Sequence, residues 1–164
     1  MKKSEFREVI NASTEKVWEV LFKQYGDIHV HNPGMIASSY VDDSTEGALN
    51  SVRHCQFSDK LSLDEVITRV DEHKSFRVVA TSHNLPLMKH LSATYELTSV
   101  GADTTEVKMT SYNSTAPRFM IHLVKGPMAN ALRKHLFGLK YYIETGKTVN
   151  AENYKAVFKD YYYN

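Results

Sequence analysis

The sequence predicts a single α+β domain, and two patterns along the chain support this prediction. Apolar and polar residues alternate in short segments between 35 and 112, which is typical of strands, whereas apolar residues recur at helical spacing from 117 to 146. The chain has 164 residues, of which 42% are apolar and 24% are charged. This size and composition are typical of one globular domain with a buried core.

A strand and a short helix open the domain. Residues 5–10 alternate between polar and apolar types, as expected of a half-buried strand. Ser13 or Thr14 can cap a helix over 14–23, because a side-chain oxygen at that position accepts a hydrogen bond from a free backbone amide. The apolar residues of this helix recur at helical spacing and are Val17, Trp18, Leu21 and Phe22.

The alternating segments predict an antiparallel sheet. Short polar turns separate them, and short turns favour hairpins because parallel strands need long crossovers. Together with the first strand they give about seven strands, a common sheet size. The predicted strands span 35–41, 49–57, 61–71, 74–83, 90–100 and 104–112.

A long helix follows the sheet. Its apolar stripe begins at Phe119, and Gly146 is a natural terminator because glycine adopts the left-handed conformation without strain. Gly126-Pro127 lies inside the stripe, and we expect a kink or break there because proline lacks the backbone donor. We predict that residues 1–147 form the ligand-binding domain and that 148–164 form an aromatic-rich helical extension of it.

Charge and cysteine content exclude several functional classes. The 20 Lys and Arg residues nearly balance the 19 Asp and Glu residues, for a net charge of +1, which argues against binding nucleic acid by phosphate neutralisation. Cys55 is the single cysteine, so the chain can form neither an internal disulfide nor a zinc site of several thiolates. The pair His29 and His31 lacks an evident third ligand, and we interpret it as a surface or mouth pair. We predict no metal and no cofactor.

The sequence also favours a reducing compartment. Residues 1–8 carry charge but no apolar run follows them, so we expect no secretory signal peptide. No segment approaches the roughly 18 apolar residues of a membrane span. We therefore expect a cytoplasmic protein.

The predicted elements also suggest a cavity. A long antiparallel sheet must curl, and its concave face needs a cover. The long helix is the element of sufficient length to cover it. The predicted inner positions mix polar and large flexible side chains with aliphatic ones, which favours a hollow over a filled core.

Four segments of the chain occur in an order that matches a known superfamily. They are Ile10–Ser13 leading into Val17–Leu21, Gly47 followed by Ser51–Arg53, Leu63–Val66, and Leu136–Lys140. Over residues 5–146 they resemble the START/Bet v 1-like (SRPBCC) superfamily, in particular its polyketide cyclase/dehydrase and lipid-transport branch. The chain departs from that pattern at Asn32-Pro33-Gly34, where the family often has a tryptophan, and after Gly146.

The resemblance implies a helix-grip fold, in which a seven-stranded curved antiparallel sheet wraps around the long C-terminal helix and encloses a cavity. It also implies that the cavity binds or transports a hydrophobic or amphipathic small molecule, lipid-like or polyketide-like. Fold alone does not choose among functions. A polyketide cyclase/dehydratase-type enzyme using the same cavity and a protein-interaction module remain alternatives, and a homodimer stays open.

Arg53 and Glu65 are the first candidates for a polar site. Alternation places Arg53, Cys55 and Phe57 on one face of their strand, and it places Glu65 among aliphatic residues on one face of the next strand. If both faces point inward, the two charges pair across the strands, because buried charges need partners. The pair is either an anchor that orients a ligand or a salt bridge with no ligand role.

The strand that begins at His90 has two candidate inner faces. The resemblance favours the row of His90, Ser92 and Thr94, whereas periodicity favours the more apolar row of Leu91, Ala93 and Tyr95. If the protein is an enzyme, Glu65 or His90 is the candidate general acid or base. The predicted ligand-binding set contains the polar residues above and apolar or aromatic neighbours: Met35, Tyr40, Arg53, Cys55, Glu65, Phe76, His90, Thr94, Tyr112, Met120, Met128 and Leu132.

Overall fold

The computed structural model describes residues 1–41 and 43–163. Asp42, in the turn after the second predicted strand, and Asn164, at the end of the predicted extension, lie outside the described residues. The strands are β1 (Lys2–Ile10), β2 (Ala37–Tyr40), β3 (Val52–Ser58), β4 (Leu61–Asp71), β5 (Ser75–His83), β6 (Met88–Gly101) and β7 (Thr104–Thr115), and the α-helices are α1 (Thr14–Trp18), α2 (Ile121–Thr145) and α3 (Tyr154–Tyr163).

The strands form one antiparallel sheet in the order β1-β7-β6-β5-β4-β3-β2. The prediction of a seven-stranded curved sheet that grips a long helix is confirmed. One end of this sheet carries the β3–β4 turn, the β5–β6 loop and the connection from β7 to α2. The opposite end carries the β4–β5 and β6–β7 turns and the connection from β1 to α1.

The predicted helix over 14–23 forms as an α-helical turn followed by a π-helical turn, Glu19–Lys23. Ser13 is its cap, because its Oγ accepts a hydrogen bond from the backbone amide of Lys16. A 3₁₀ helix follows over Tyr25–Val30. These turns bring Trp18 and the neighbouring aromatic residues under the sheet, where Trp18 contacts Phe76 edge-on at 5.9 Å between ring centroids.

Helix α2 differs between its two halves. A continuous stretch, 135–140, is buried, whereas most residues of the first half are exposed or half-buried. The buried half packs very closely: a Cβ at Gly138 would lie 2.1 Å from the backbone oxygen of His31, so a larger residue would force the backbone to move. The sequence predicted a kink or break at Pro127; the helix continues through this residue, so the break is absent. Gly146 ends the helix with φ of 71°.

Helix α3 packs against the outer side of α2. Phe137 is its main contact and lies within ring-stacking distance of four aromatic rings of α3. The hydroxyl of Tyr161 also donates a hydrogen bond to Glu144. The four rings around Phe137 belong to Tyr154, Phe158, Tyr161 and Tyr162.

Candidate ligand-binding cavity

A cavity of about 450 Å³ lies between the sheet and the first half of α2. This volume falls in the range of small-molecule sites. Apolar side chains from β3, β4, β6, α2 and the neighbouring loops form much of its wall. They include Ile28, Met35, Phe57, Leu61, Leu63, Leu85, Met88, Leu91, Ala93, Val124, Met128 and Leu132.

The cavity opens at the end of the sheet that carries the β3–β4 turn. Gly34, Pro86, Pro127 and Ala131 line the cavity and are also exposed to solvent, so they mark its mouth. At the opposite end of the sheet, core side chains around Trp18 fill the space between the sheet and the helices. The cavity therefore opens between the β5–β6 loop and α2.

Arg53 and Glu65 form an ion pair in the cavity wall. They are register partners on β3 and β4, and Arg53 donates to Glu65 Oε2 from Nη2 at 2.7 Å and from Nε at 3.1 Å. A third donor, Nη1, reaches the backbone oxygen of Tyr25 at 3.0 Å. The guanidinium also stacks 3.9 Å from the centre of the Tyr25 ring. These contacts fix the orientation of a buried charge inside an apolar wall.

Arg53 carries its positive charge despite its burial. Burial lowers the pKa of the Arg53 guanidinium, but electrostatic interactions with the acidic groups around it raise that pKa by more. The largest of these interactions are with Tyr25, Cys55 and Glu65. For the Tyr95 hydroxyl, burial has the opposite effect: it raises the pKa, and the hydroxyl stays protonated. The polar part of the wall thus combines one compensated ion pair with a neutral phenol.

Tyr95 and His135 extend this polar group toward α2. The Tyr95 hydroxyl lies 3.2 Å from His135 Nε2, and both residues line the cavity. Burial, followed by the nearby charge of Arg53, lowers the pKa of His135 to about 3. Burial, followed by His135, also lowers the pKa of His31, whose ring stacks 5.6 Å from that of His135. Both imidazoles are therefore neutral at pH 7.

The predicted ligand-binding set contains neither Tyr95 nor His135, and the sequence predicted that His29 and His31 form a surface or mouth pair. The expectation for His31 is wrong, because 3% of the residue is exposed. The burial of His31 follows from a contact that only the structure shows: Gly138 lets α2 touch the segment that carries His31. The position of His135 one turn before Leu139 places it on the same inward face as that buried leucine.

Five residues of the predicted ligand-binding set line the cavity, and the others lie elsewhere. Cys55 is fully buried beside the cavity in a small apolar cluster, where burial raises the pKa of its thiol to about 12. Phe76 belongs to the filled core. Tyr40 packs over Gly26. The five lining residues are Met35, Arg53, Glu65, Met128 and Leu132.

The remaining four predicted residues are outside the cavity lining. His90 lines a surface depression beside Lys89 and bonds through Nε2 to Ser92 Oγ at 3.1 Å. Tyr112 lies under Arg77, whose guanidinium carbon is 5.5 Å from the ring centre. Thr94 and Met120 are likewise absent from the lining residues that the structure describes.

The strand β6 turns its apolar row toward the cavity. Leu91, Ala93 and Tyr95 line the wall, which is the row that periodicity favours. His90 and Thr94 belong to the other row, so the inward placement drawn from the resemblance is wrong for them. Ser92 contributes to the wall as well, while its Oγ accepts a hydrogen bond from Arg77.

Within residues 1–41 and 43–163, no group of three or more His, Cys, Asp or Glu residues is placed to hold a metal ion. The helices described there include none that is long and apolar enough to cross a membrane.

A known protein family matches most of the chain. The sequence profile described as polyketide cyclase / dehydrase and lipid transport matches residues 1–144. The chain belongs to this family. The matched residues contain the sheet, the cavity and almost all of α2, whereas α3 lies outside them. No curated protein matches the sequence.

Solved structures share the fold of this polyketide cyclase/dehydrase family member at low identity. A protein from Thermus thermophilus is 14% identical with a TM-score of 0.72, covering 90% of this chain and 100% of that chain. The Zhui aromatase/cyclase from a Streptomyces species is 15% identical with a TM-score of 0.66, covering 90% and 99%. The di-domain aromatase/cyclase BexL is 13% identical with a TM-score of 0.69, covering 88% and 47%.

Proposed function

We propose that this protein binds an amphipathic, largely apolar small molecule in the cavity between the sheet and α2, as a carrier or binding protein. The observation that carries the proposal is a largely apolar cavity whose wall contains an ion pair of fixed orientation, Arg53 and Glu65. Apolar walls supply affinity through burial, at about 25 cal/mol for each Å² removed from water. A few placed polar groups supply orientation.

The polar group favours a neutral oxygen on the ligand. Arg53 and Glu65 compensate each other, so a ligand carboxylate would meet the repulsion of Glu65 as well as the attraction of Arg53. A carbonyl or hydroxyl oxygen meets no such repulsion and can reach the neutral Tyr95–His135 pair. The ligand class is thus a lipid-like or polyketide-like molecule with a ketone, ester, phenol or alcohol group.

Native mass spectrometry of freshly purified protein, followed by organic extraction of the released molecule, tests this proposal. We expect a bound species of discrete mass, and we expect the environment-sensitive dye Nile red to bind and to be displaced by the extract. Replacing Met128, which lines the cavity, by tryptophan should abolish both signals by filling the space. The matched variant Met120→Trp, outside the lining residues, should keep them.

A clean apo mass together with no dye binding would contradict the proposal. Equal binding by Met128→Trp and the parent protein would also contradict it, because the ligand would then sit elsewhere. Circular dichroism of both variants establishes that they are folded, so a lost signal reports on the cavity.

A second candidate function is that of a cyclase or dehydratase, favoured by the family match and by the fold shared with Zhui and BexL. Glu65 is then the candidate acid or base, since it lines the cavity and His90 does not. In that case Glu65→Gln abolishes conversion of the extracted molecule while its mass remains bound. Unchanged conversion by Glu65→Gln would remove Glu65 from the reaction.

A further inference from the structure

The mouth of the cavity carries apolar side chains that the fold leaves in water. Phe119 and Leu123 are 68% and 67% exposed and stand one helical turn apart, beside the lining residue Val124. Ile36 is 58% exposed next to Met35, and Leu87 is 39% exposed in the β5–β6 loop. The backbone oxygen of Leu87 accepts a hydrogen bond from Ala116, so the loop and the start of α2 adjoin. Three separate segments thus expose apolar groups around one opening.

The same three segments contain no acidic residues. No Asp or Glu occurs between Asp27 and Asp42, between Glu72 and Glu96, or between Glu106 and Glu144. The chain as a whole has a net charge of only +1, so this distribution concentrates its positive charge around the cavity. On that side of the sheet the β3–β4 turn carries one acid, Asp59, and the adjacent base Lys60.

Three basic side chains lie on the same segments as the exposed apolar group. Lys89 and Arg118 border the same surface depression, and Lys125 follows Leu123 on the exposed part of α2. Among the described residues, none of these three basic side chains takes part in an ion pair or a cation–π contact. They are therefore available to an anionic partner without breaking an existing contact.

We propose that this mouth surface, defined by Ile36, Leu87, Phe119 and Leu123 with Lys89, Arg118 and Lys125, docks onto an anionic lipid bilayer. Apolar side chains enter the interface between head groups and acyl chains, while basic side chains contact anionic head groups. Charge complementarity selects the bilayer surface, and the apolar residues encircle the opening of an apolar cavity. Docking brings the mouth against hydrocarbon, so a lipophilic molecule can pass without crossing water.

Docking needs no ligand in the cavity, so it can fail or succeed independently of the proposed function. Co-sedimentation of the full chain with sucrose-loaded vesicles tests it, using phosphatidylcholine alone or with about 30 mol% phosphatidylglycerol, which supplies a negative surface charge. We expect binding to the anionic vesicles at low salt, and at least about tenfold weaker partitioning at high salt, because salt screens exposed charges.

Two pairs of variants locate the surface. Arg118→Gln with Lys125→Gln should weaken partitioning about thirtyfold, at about fivefold for each basic residue removed. The control, Lys155→Gln with Lys159→Gln, removes the same charge from α3 and should have little effect. Phe119→Ser with Leu123→Ser should abolish binding, whereas Leu49→Ser with Val100→Ser, exposed at the opposite end of the sheet, should not.

Three results would overturn the proposal. The first is no binding to either type of vesicle. The second is equal loss in the test and control variants. The third is a concentration-dependent dimer, or complex formation with an acidic protein, that Phe119→Ser with Leu123→Ser disrupts while vesicle binding is absent. That last result would assign the surface to a protein partner.

Discussion

The two ends of the domain are built from the same sheet and the same helix, but one end is a filled core and the other encloses a cavity. At the closed end, Trp18, Phe22 and Phe76 fill the space between strands and α2 with stacked and edge-on aromatic contacts. At the mouth end, the walls are also largely apolar, but they enclose a cavity. Hydrophobicity alone therefore does not distinguish a core from a binding site; what differs is whether large side chains meet in the middle.

The division falls within a single turn of α2. From His135 to Lys140 the helix is buried and makes its closest approach at Gly138, whereas Leu132 and Met128 face open space. Packing energy is consequently concentrated at the closed end. The mouth end can vary in shape with little cost to folding, because its side chains already lack neighbours on one side.

The largest predicted difference between the ends is in stability. Phe76→Ala should lower the free energy of unfolding by about 4 kcal/mol, because it opens a cavity among three aromatic rings. Met128→Ala should cost about 1 kcal/mol or less, since that side chain already borders empty space. Urea denaturation measures both. Similar costs for the two variants would mean that the cavity is packed in solution.

The next largest effect on stability is expected from the Arg53–Glu65 ion pair, which lies between the two ends. Arg53→Leu should cost about 3 kcal/mol, because it leaves the carboxylate of Glu65, with 16% side-chain exposure, without its partner. Adding Glu65→Met to Arg53→Leu should recover most of this loss. A double variant as unstable as Arg53→Leu alone would show that packing of the arginine, and not its charge pairing, is what matters.

A smaller effect is expected from pH. Between pH 6.5 and about 3 the unfolded chain binds a proton at His135 that the native protein does not, since burial lowers the native pKa to about 3. Stability should therefore fall as pH decreases, by about 2 kcal/mol from this residue between pH 7 and 5. His135→Asn should show a shallower decline by that amount. Parallel curves for parent and variant would place His135 in contact with water.

The smallest effect is expected at the exposed rim. Phe119→Ser with Leu123→Ser should change the free energy of unfolding by less than about 0.5 kcal/mol for each substitution, because both side chains are already in solvent. Thermal unfolding measures this. A much larger loss would show that these residues pack in solution, against the fold or against a second copy.

The strands and the long helix could be predicted because their signals are local. Alternation located each strand of the hairpins, and Gly146 marked the end of α2 from its conformational freedom alone. The Arg53–Glu65 pairing also followed from alternation on two adjacent strands. Of the kink or break predicted at Pro127, the break does not occur, because neighbouring turns of a long helix can hold a proline within a continuous helix.

The rest of the site could not be predicted because it depends on contacts distant in sequence. Tyr95 meets His135 across the cavity, and His31 meets His135 only after the loop folds against Gly138. For β6, periodicity gave the inward row and the resemblance gave the outward one. The apolar row faces inward because the cavity is itself an apolar environment, so a polar row gains more from water outside.

We expect the two halves of α2, on either side of the region after Pro127, to open at different rates. Because Pro127 has no N–H, the backbone oxygen of Leu123 lacks its partner one turn ahead, and the residues before it face few buried neighbours. Amide protons of 121–126 should accordingly exchange with solvent through local opening. Those of 135–140 should exchange only through global unfolding. The entrance can then fray and reform many times during the lifetime of the folded state.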